Sequence, residues 1–212
     1  ARICAVVLSH EHSDHCKGLR PTVNKLQVPV YCNRQTAYAL RDRGVTSDGL
    51  HLFSAGSTFR VADFELTAFS IPHDAIDPVG FTIRAGERKI GVATDLGHAS
   101  SVVSYHLREC DGIILECNHD VPMVHSSRRP WRLKQRILGR RGHLSNEDSM
   151  SLLRQVLDGR TRHVILAHAS RECNRYDLIQ SVADRLLAEL GRTDLCAAVA
   201  RQDCWLPTVW LD

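Results

Sequence analysis

The chain has 212 residues, which allows one domain with a sizeable core but not two ordinary domains and a linker. The charged fraction of 24% and the hydrophobic fraction of 43% are ordinary, and the formal net charge is only +3. No apolar run approaches the roughly 18 residues that a membrane span requires. These values exclude a transmembrane protein, and the net charge alone does not indicate a nucleic-acid partner. We expect one domain over residues 1–212, in the cytoplasm, with no membrane partner and an oligomeric state that the sequence leaves open.

Short apolar runs alternate with polar stretches of helical pattern, which is typical of an α/β fold. The predicted strands, in chain order, cover residues 3–8, 28–31, 59–69, 80–84, 89–93, 112–116, 163–167 and 196–200. Helices are predicted at 34–43, where Gly44 ends the helix, at 100–108 and at 176–190. A further helix is predicted to begin at Ser145 and run through Leu157, because Ser145 and Asp148 form an S-x-x-D capping box.

Eight cysteines are spread along the chain without a C-x-x-C pair, and their spacing does not resemble the disulfide framework of a small secreted domain. We expect reduced thiols, with a disulfide or a zinc site among them as the alternative. Cys4, Cys110, Cys117 and Cys196 lie in apolar runs, where a free cysteine behaves as a small buried hydrophobic side chain. These four are predicted to be buried.

A cluster of metal-ligand residue types directly follows the first apolar strand: His10, His12, Asp14 and His15. Imidazoles and a carboxylate together suit zinc, manganese or iron. Alternate positions on an extended turn can face two neighbouring ions. The alternative is a polar surface loop that is rich in histidine.

The pattern H-x-H-x-D-H after a hydrophobic strand, followed by Gly18, resembles the signature of the metallo-β-lactamase superfamily. Single ligand-type residues just past later apolar runs follow the order of that superfamily, namely His73, Asp95 and His168. The resemblance implies an αββα sandwich and two divalent metal ions, Zn²⁺ or Mn²⁺. By the same resemblance, His10, His12 and His73 hold one metal, Asp14, His15 and His168 hold the second, and Asp95 bridges them. Asp14 is also expected to take part in catalysis.

A narrower resemblance, to the bacterial WalJ (YycJ) branch, covers nearly the whole chain. It rests on the segments Pro-His-Asp-Ala at 72–75, Asp-Pro-Val-Gly-Phe at 77–81, Ala-Thr-Asp-Leu-Gly at 93–97, Leu-Glu-Cys-Asn-His-Asp at 115–120 and Gly-His-Leu-Ser-Asn at 142–146. Members of that branch are regarded as DNA exonucleases or phosphodiesterases. The Gly-His-Leu-Ser stretch also resembles a histidine motif of ribonuclease Z and related phosphodiesterases. Both resemblances favour a phosphodiester substrate over a lactam or a thioester.

The chain departs from the family pattern at three points. The family normally opens with one or two strands and a Gly/Ser-rich turn before the histidine cluster, so the resemblance implies that the first strands are absent here. The usual His-Leu-Ser at the last ligand is replaced by His168-Ala169-Ser170. Nothing resembles the long tRNA-clamping insertion of ribonuclease Z, which disfavours tRNA maturation.

A basic run lies just before the Gly-His-Leu-Ser stretch. Residues 128–141 contain seven arginines or lysines, with Trp131 among them. Such a run could hold a phosphate backbone while the indole provides a stacking surface. Lys134 and Arg136 are therefore predicted to contact DNA. The alternative is a solvated basic helix with an apolar face, which Leu133, Ile137 and Leu138 would supply.

Other polar residues are predicted to serve the same site. His143 is expected to act in catalysis without binding metal, by stabilising the transition state or protonating the leaving oxygen, although it could instead fix its loop by a hydrogen bond. His119 and Ser170 are predicted to contact substrate, and Glu116 to orient a ligand imidazole.

Three functions remain open at this point. The first is a DNA phosphodiesterase, specifically a 5′ to 3′ exonuclease in DNA repair. The second is a phosphodiesterase of small cyclic nucleotides or related metabolites, for which the basic run would be incidental. The third is a non-catalytic metal-binding module, which the intact ligand set argues against.

Overall fold

Two β-sheets lie face to face in the computed structural model, which describes residues 3–41 and 49–211. The described part contains ten strands: β1 Val6–Val7, β2 Val30–Asn33, β3 Leu50–Phe53, β4 Thr58–Val61, β5 Phe64–Ser70, β6 Val79–Ala85, β7 Arg88–Ala93, β8 Gly112–Glu116, β9 His163–Ala167 and β10 Cys196–Val199. It contains eight helices: α1 Ser13–Cys16, α2 Leu19–Leu26, α3 Arg34–Arg41, α4 Ser101–Leu107, α5 Val121–Ser126, α6 Trp131–Leu138, α7 Asn146–Val156 and α8 Tyr176–Leu190.

The smaller sheet is parallel, with the order β1-β2-β3. Successive side chains of a strand point to opposite faces, and β1 shows this directly. Val6 packs in the cluster that contains Leu19 of α2 and Leu40 of α3, whereas Val7 packs against the larger sheet beside Phe81. One face of this sheet is therefore covered by helices and the other by the second sheet.

The larger sheet has seven strands in the order β10-β9-β8-β7-β6-β5-β4. Strands β4 to β7 pair antiparallel, and β7 to β10 pair parallel. Because β5 and β7 are both antiparallel to β6, the carboxyl ends of β5, β7, β8, β9 and β10 lie at one edge of the sheet. The outer face is covered by α4, α7 and α8, whose buried residues include Val103, Leu153 and Ile179. The layers are helices, sheet, sheet, helices, so the predicted αββα sandwich is present.

Most predicted elements agree with the structure. Strands β8 and β9 and helix α8 have the predicted bounds, and helix α7 begins after Ser145, whose side chain accepts a hydrogen bond from the N–H of Asp148 at 3.1 Å. The prediction of one strand over 59–69 is wrong, because a turn at Ala62, with φ of 51°, divides it into β4 and β5. Helices α1, α2 and α5 and strand β3 were not predicted. The predicted end of the α3 helix at Arg43 and Gly44 lies outside the described residues.

The cysteines agree only partly with their predicted burial. All eight lie within the described ranges and none forms a disulfide there. Cys110 and Cys117 are buried, as expected from their apolar runs. Cys4 and Cys196 are exposed instead, since Cys4 precedes β1 and Cys196 begins β10, the edge strand of the larger sheet. In the part of the chain that the structure describes, no helix has the length and apolar character needed to cross a membrane.

Candidate metal centre

The site lies where strands of the larger sheet end. Asp95 comes two residues after β7, Glu116 is the last residue of β8, and His168 directly follows β9. Their strands are parallel neighbours, so these side chains emerge at the same edge. His73 follows β5, whose carboxyl end reaches the same edge. Ligands of open α/β sheets usually bind at this edge because the loops there converge.

The histidine cluster of the smaller sheet completes the site. His10 follows β1 and is fully buried, and His12 precedes the short helix α1. Asp14 and His15 lie within α1, so the segment is one turn of helix rather than the extended turn that we expected. The helical turn points both side chains toward the strand ends of the other sheet, and His15 Nε2 lies 3.2 Å from Asp95 Oδ2.

The seven predicted ligands converge in two adjoining groups. In the first, the ligand atoms of His10, His12 and His73 lie within 4.8 Å of one another, and His73 Nε2 is 3.3 Å from His12 Nδ1. In the second, the ligand atoms of Asp14, His15, Asp95 and His168 lie within the same distance of one another. A third such group joins Asp95 and His168 to Glu116 and His143.

Asp95 lies between the two groups. Its Oδ1 is 3.5 Å from Nε2 of His168 and 3.8 Å from Nε2 of His73, which belongs to the first group. Burial opposes ionisation of Asp95, but the hydrogen bond from His15 and the positive field of His168 hold its pKa well below the ordinary value. An ionised carboxylate at this position suits a bridge between two cations.

The outer nitrogens of the imidazoles are tied to the protein. Nδ1 of His10 lies 3.0 Å from the Ser9 hydroxyl, and Nδ1 of His73 lies 3.0 Å from the carbonyl oxygen of Gly142. Such contacts fix the orientation of a metal ligand and leave its second nitrogen for the ion. Nε2 of His10 is buried and has no hydrogen-bond partner among the described residues, and burial lowers the His10 pKa to about 3. A neutral buried imidazole with an unpartnered nitrogen fits a metal ligand, so this donor set suits divalent ions.

Glu116 lies behind the second group and is fully buried. Its Oε1 is 2.8 Å from Nδ1 of both His143 and His168, and its Oε2 accepts hydrogen bonds from the backbone N–H groups of Leu96 and Leu144. Burial opposes charge on both partners, yet the hydrogen bond to Glu116 raises the pKa of His168 to about 9 and also raises that of His143. Glu116 therefore contacts the predicted ligand His168 and the predicted catalytic residue His143 equally closely, a geometry that suits the prediction that it orients an imidazole.

The backbone is unusual at the two residues that end their strands. Asp95 has φ of 60° and His168 has φ of 57°, which is the left-handed region that non-glycine residues rarely adopt. Each such residue costs on the order of 1–3 kcal/mol and persists where the surroundings determine it. Strain of this kind concentrates at functional sites, and here it turns both side chains into the centre.

The basic run is folded against the centre, as helix α6 and the loop that follows it. Arg136 forms a two-point ion pair with Asp74, whose Oδ1 lies 3.4 Å from Nε2 of His73. Arg141 donates to the carbonyl oxygens of His73 and Ala75. The guanidinium groups therefore hold the loop that carries His73. Neither Asp74 nor Arg141 was predicted as a site residue, although both lie in segments that the sequence singles out.

The remaining members of the run have different surroundings. Lys134 is partly exposed and donates to the carbonyl oxygen of His125 at 2.6 Å. Trp131 is 62% exposed. Ile137, with Leu133 and Leu138, packs against Val124 and Cys173, so the predicted apolar face of a basic helix is present. This face does not exclude DNA contacts by the charged side of α6.

Two predicted substrate contacts differ in their surroundings. His119 is 1% exposed, its Nδ1 has no hydrogen-bond partner within the described ranges, and burial lowers its pKa to about 4. It is buried because the loop after β8 pairs with Ser145, and the N–H of Asn146 donates to the His119 carbonyl oxygen. Ser170 accepts from the N–H of Cys173 and borders a separate cavity beside His168.

Comparisons with known proteins agree with this architecture. Residues 1–169 match the β-lactamase superfamily domain. The chain is 33% identical to the exodeoxyribonuclease YycJ of Bacillus anthracis over 191 residues, which cover 89% of the chain and 72% of that protein. It is also 33% identical to the exodeoxyribonuclease WalJ of Streptococcus pneumoniae over 199 residues, which cover 92% of the chain and 73% of that protein. Zn²⁺-bound PqqB from Methylobacterium extorquens has a similar fold, with a TM-score of 0.68, 19% identity, and coverage of 93% of this chain and 71% of that one.

The chain therefore belongs to the β-lactamase superfamily, and within it to the family of the exodeoxyribonucleases YycJ and WalJ. The predicted fold and the prediction of a hydrolase are confirmed at this level. The metallo-β-lactamase fold implies divalent metal ions, which agrees with the two groups of imidazoles and carboxylates at the strand ends.

Proposed function

We propose that the chain is a metal-dependent exodeoxyribonuclease that hydrolyses phosphodiester bonds of DNA from the 5′ end, in DNA repair. The observation that carries the proposal is the convergence of all seven predicted ligands, with Asp95 between the two groups. The substrate class is supported by the two relatives, which are named exodeoxyribonucleases.

In this proposal His10, His12 and His73 hold one ion, Asp14, His15 and His168 hold the second, and Asp95 bridges them. Zn²⁺ or Mn²⁺ suits a donor set of imidazoles and carboxylates. When bound, such a pair lowers the pKa of water and stabilises charge on the phosphoryl oxygens. Asp14 is 60% exposed at its side chain, so it faces the approaching substrate and can orient a water there.

His143 is the proposed general acid. It is not one of the seven predicted ligands, although its ligand atom lies within 4.8 Å of those of Asp95, Glu116 and His168, and its Nδ1 contacts Glu116. A ring that is held in this way presents its Nε2 for proton transfer to the leaving oxygen while the phosphorus–oxygen bond breaks. Its ring lies 5.1 Å from that of His73 and 5.6 Å from that of His168, so the proton would be delivered beside both ligand groups.

DNA would approach across the charged side of α6. Lys134 is partly exposed and suits a phosphate contact, since lysine and arginine side chains release counterions when they neutralise phosphates. Arg136 is already paired with Asp74, so its contact with DNA would be coupled to the His73 loop.

The test uses DNA labelled at either the 5′ or the 3′ end, with Mn²⁺ or Zn²⁺. The proposal predicts immediate release of a labelled mononucleotide from the 5′-labelled strand and gradual shortening of the 3′-labelled strand. Asp95→Asn protein, prepared in parallel, controls for contaminating nucleases. Bis-p-nitrophenyl phosphate and a cyclic nucleotide are assayed beside DNA. Hydrolysis of the cyclic nucleotide with intact DNA would contradict the proposal and select the small-molecule phosphodiesterase.

A further inference from the structure

A second concave feature lies beside the metal centre, at the carboxyl ends of β9 and β10. It is a cavity of about 690 Å³ whose wall begins at Ala169, the residue after His168. Its charged and aromatic lining comes from the loop after β9 and the segment after β10, and includes Arg171, Arg175, Tyr176 and Arg201. We call it the arginine cavity. None of these four side chains belongs to the basic run of α6.

The walls of the arginine cavity are joined by Gln202. Its side-chain amide donates to the carbonyl oxygen of Ala169 at 3.2 Å, and its carbonyl oxygen accepts from Arg171 Nε. Its backbone N–H donates to the Tyr176 hydroxyl at 3.4 Å. The segment after β10 is therefore held against the loop that carries His168, so the cavity keeps a fixed position relative to the centre.

The arginines differ in how they are neutralised. Arg175 is paired with Asp177 at 2.8 Å. Arg171 and Arg201 form no ion pair with any described residue. Arg171 donates through Nε to Gln202, and Arg201 lies over the Tyr176 ring at 5.1 Å from its centroid. Two guanidinium groups without a carboxylate partner suit a phosphate, which arginine can bind through two parallel hydrogen bonds.

The remaining lining suits a nucleoside. Tyr176 is the aromatic residue of this wall, and a base would stack on its ring once Arg201, which lies over it, turns toward the phosphate. The carboxylate of Asp203 can accept hydrogen bonds from base amino groups. The volume lies within the range of roughly 300–1,000 Å³ that is usual for small-molecule sites.

We propose that the arginine cavity binds one phosphorylated nucleotide of the DNA strand, next to the bond that is hydrolysed. This inference rests on the proposed function for its substrate.

The binding test uses metal-loaded protein and calorimetric titration with three probes: deoxyadenosine 5′-monophosphate, deoxyadenosine and 2-deoxyribose 5-phosphate. The proposal predicts that the monophosphate binds at least 10-fold more tightly than either fragment, because only the whole nucleotide contacts both the guanidinium groups and the ring. The double variant Arg171→Ala, Arg201→Ala should lose at least 10-fold in affinity for the monophosphate. Arg185→Ala, which removes an exposed arginine paired with Glu147, is the matched control and should bind like the unaltered protein.

Nucleotide bound directly at the metals would not depend on these arginines, so equal affinity in the double variant would overturn the inference. Failure of the unaltered protein to bind the monophosphate would also overturn it. Both altered arginines are exposed, and thermal melting of the variant verifies that it is folded. DNA degradation without arginine-dependent nucleotide binding would refute this inference alone. Arginine-dependent binding in a protein that hydrolyses bis-p-nitrophenyl phosphate but not DNA would instead refute the proposed function.

Discussion

Oε1 of Glu116 lies 2.8 Å from Nδ1 of His168, while Nε2 of the same imidazole lies 3.5 Å from Asp95. One nitrogen of His168 is thus fixed by a buried carboxylate and the other faces the centre. This arrangement orients a metal ligand and makes it more basic. It also gives Glu116 a role that can be measured separately from hydrolysis.

The variant Glu116→Gln should weaken the binding of divalent metal by roughly 10- to 100-fold. An amide nitrogen cannot accept a hydrogen bond, so at least one of the imidazoles or backbone N–H groups that contact Glu116 would lose its acceptor. Metal affinity is measured by competition with a chromophoric chelator. Glu189→Gln, at an exposed glutamate paired with Arg154, is the control. A folded Glu116→Gln protein with unchanged affinity would show that the carboxylate does not position the ligand.

Replacing His143 by alanine should retain both metals and lower turnover of DNA by roughly 10²- to 10⁴-fold, as expected for the loss of a general acid. A substrate with a p-nitrophenolate leaving group needs no proton and should be affected much less. The measurement compares kcat for DNA and for bis-p-nitrophenyl phosphate in the same preparation. Equal losses would indicate electrostatic stabilisation, and loss of a metal equivalent would show that His143 is a ligand.

Replacing Lys134 and Arg136 by alanine, one at a time, should have different effects on DNA binding and on hydrolysis. Lys134→Ala should weaken DNA binding and reduce the slope of log affinity against log salt by roughly 0.7 to 0.9, without changing hydrolysis of a small diester. Arg136→Ala should impair both substrates, because it frees Asp74, which lies 3.4 Å from His73 Nε2. Salt titrations of binding and steady-state assays distinguish these outcomes. If the Lys134 variant had the same dependence of DNA affinity on salt as the unaltered protein, Lys134 on α6 would not contact a DNA phosphate.

Gly142 is a point of close backbone approach, so Gly142→Ala should destabilise the protein. A Cβ there would lie 2.2 Å from the carbonyl oxygens of Arg136 and Ile137, which are backbone atoms and can move only with their helix. Overpacking of this kind costs about 1–3 kcal/mol in the free energy of unfolding. Urea unfolding measures the loss. Gly159→Ala, where nothing lies within 4 Å of the added carbon, is the control, and equal stability of the two variants would refute the packing argument.

The sequence predicts the edge of the sheet better than it predicts the surroundings of the site. Asp95 and His168 could be placed because each follows an apolar run whose strand period and length are clear. The ion pair between Arg136 and Asp74 could not, because 62 residues separate its partners and only tertiary packing joins them. The same reason explains why the burial of His119 was not anticipated from its polar neighbours.

The sequence also failed to predict a turn that lacks the glycine or proline by which turns are usually recognised. The strand predicted over 59–69 is interrupted at Ala62 and Asp63, and no glycine or proline marks this turn. Helix α1 is only one turn long, too short for a periodic pattern to reveal it. The ligand spacing in this segment therefore suggested an extended turn.

The proposed activity requires a centre that holds two metals through seven residues. Elemental analysis of the purified chain, after equilibration with excess Zn²⁺ or Mn²⁺ and removal of free ions, tests this claim. Two equivalents per chain are expected, since the two groups of ligand atoms adjoin and Asp95 can neutralise repulsion between the ions. One equivalent that persists under metal excess would contradict the dinuclear centre.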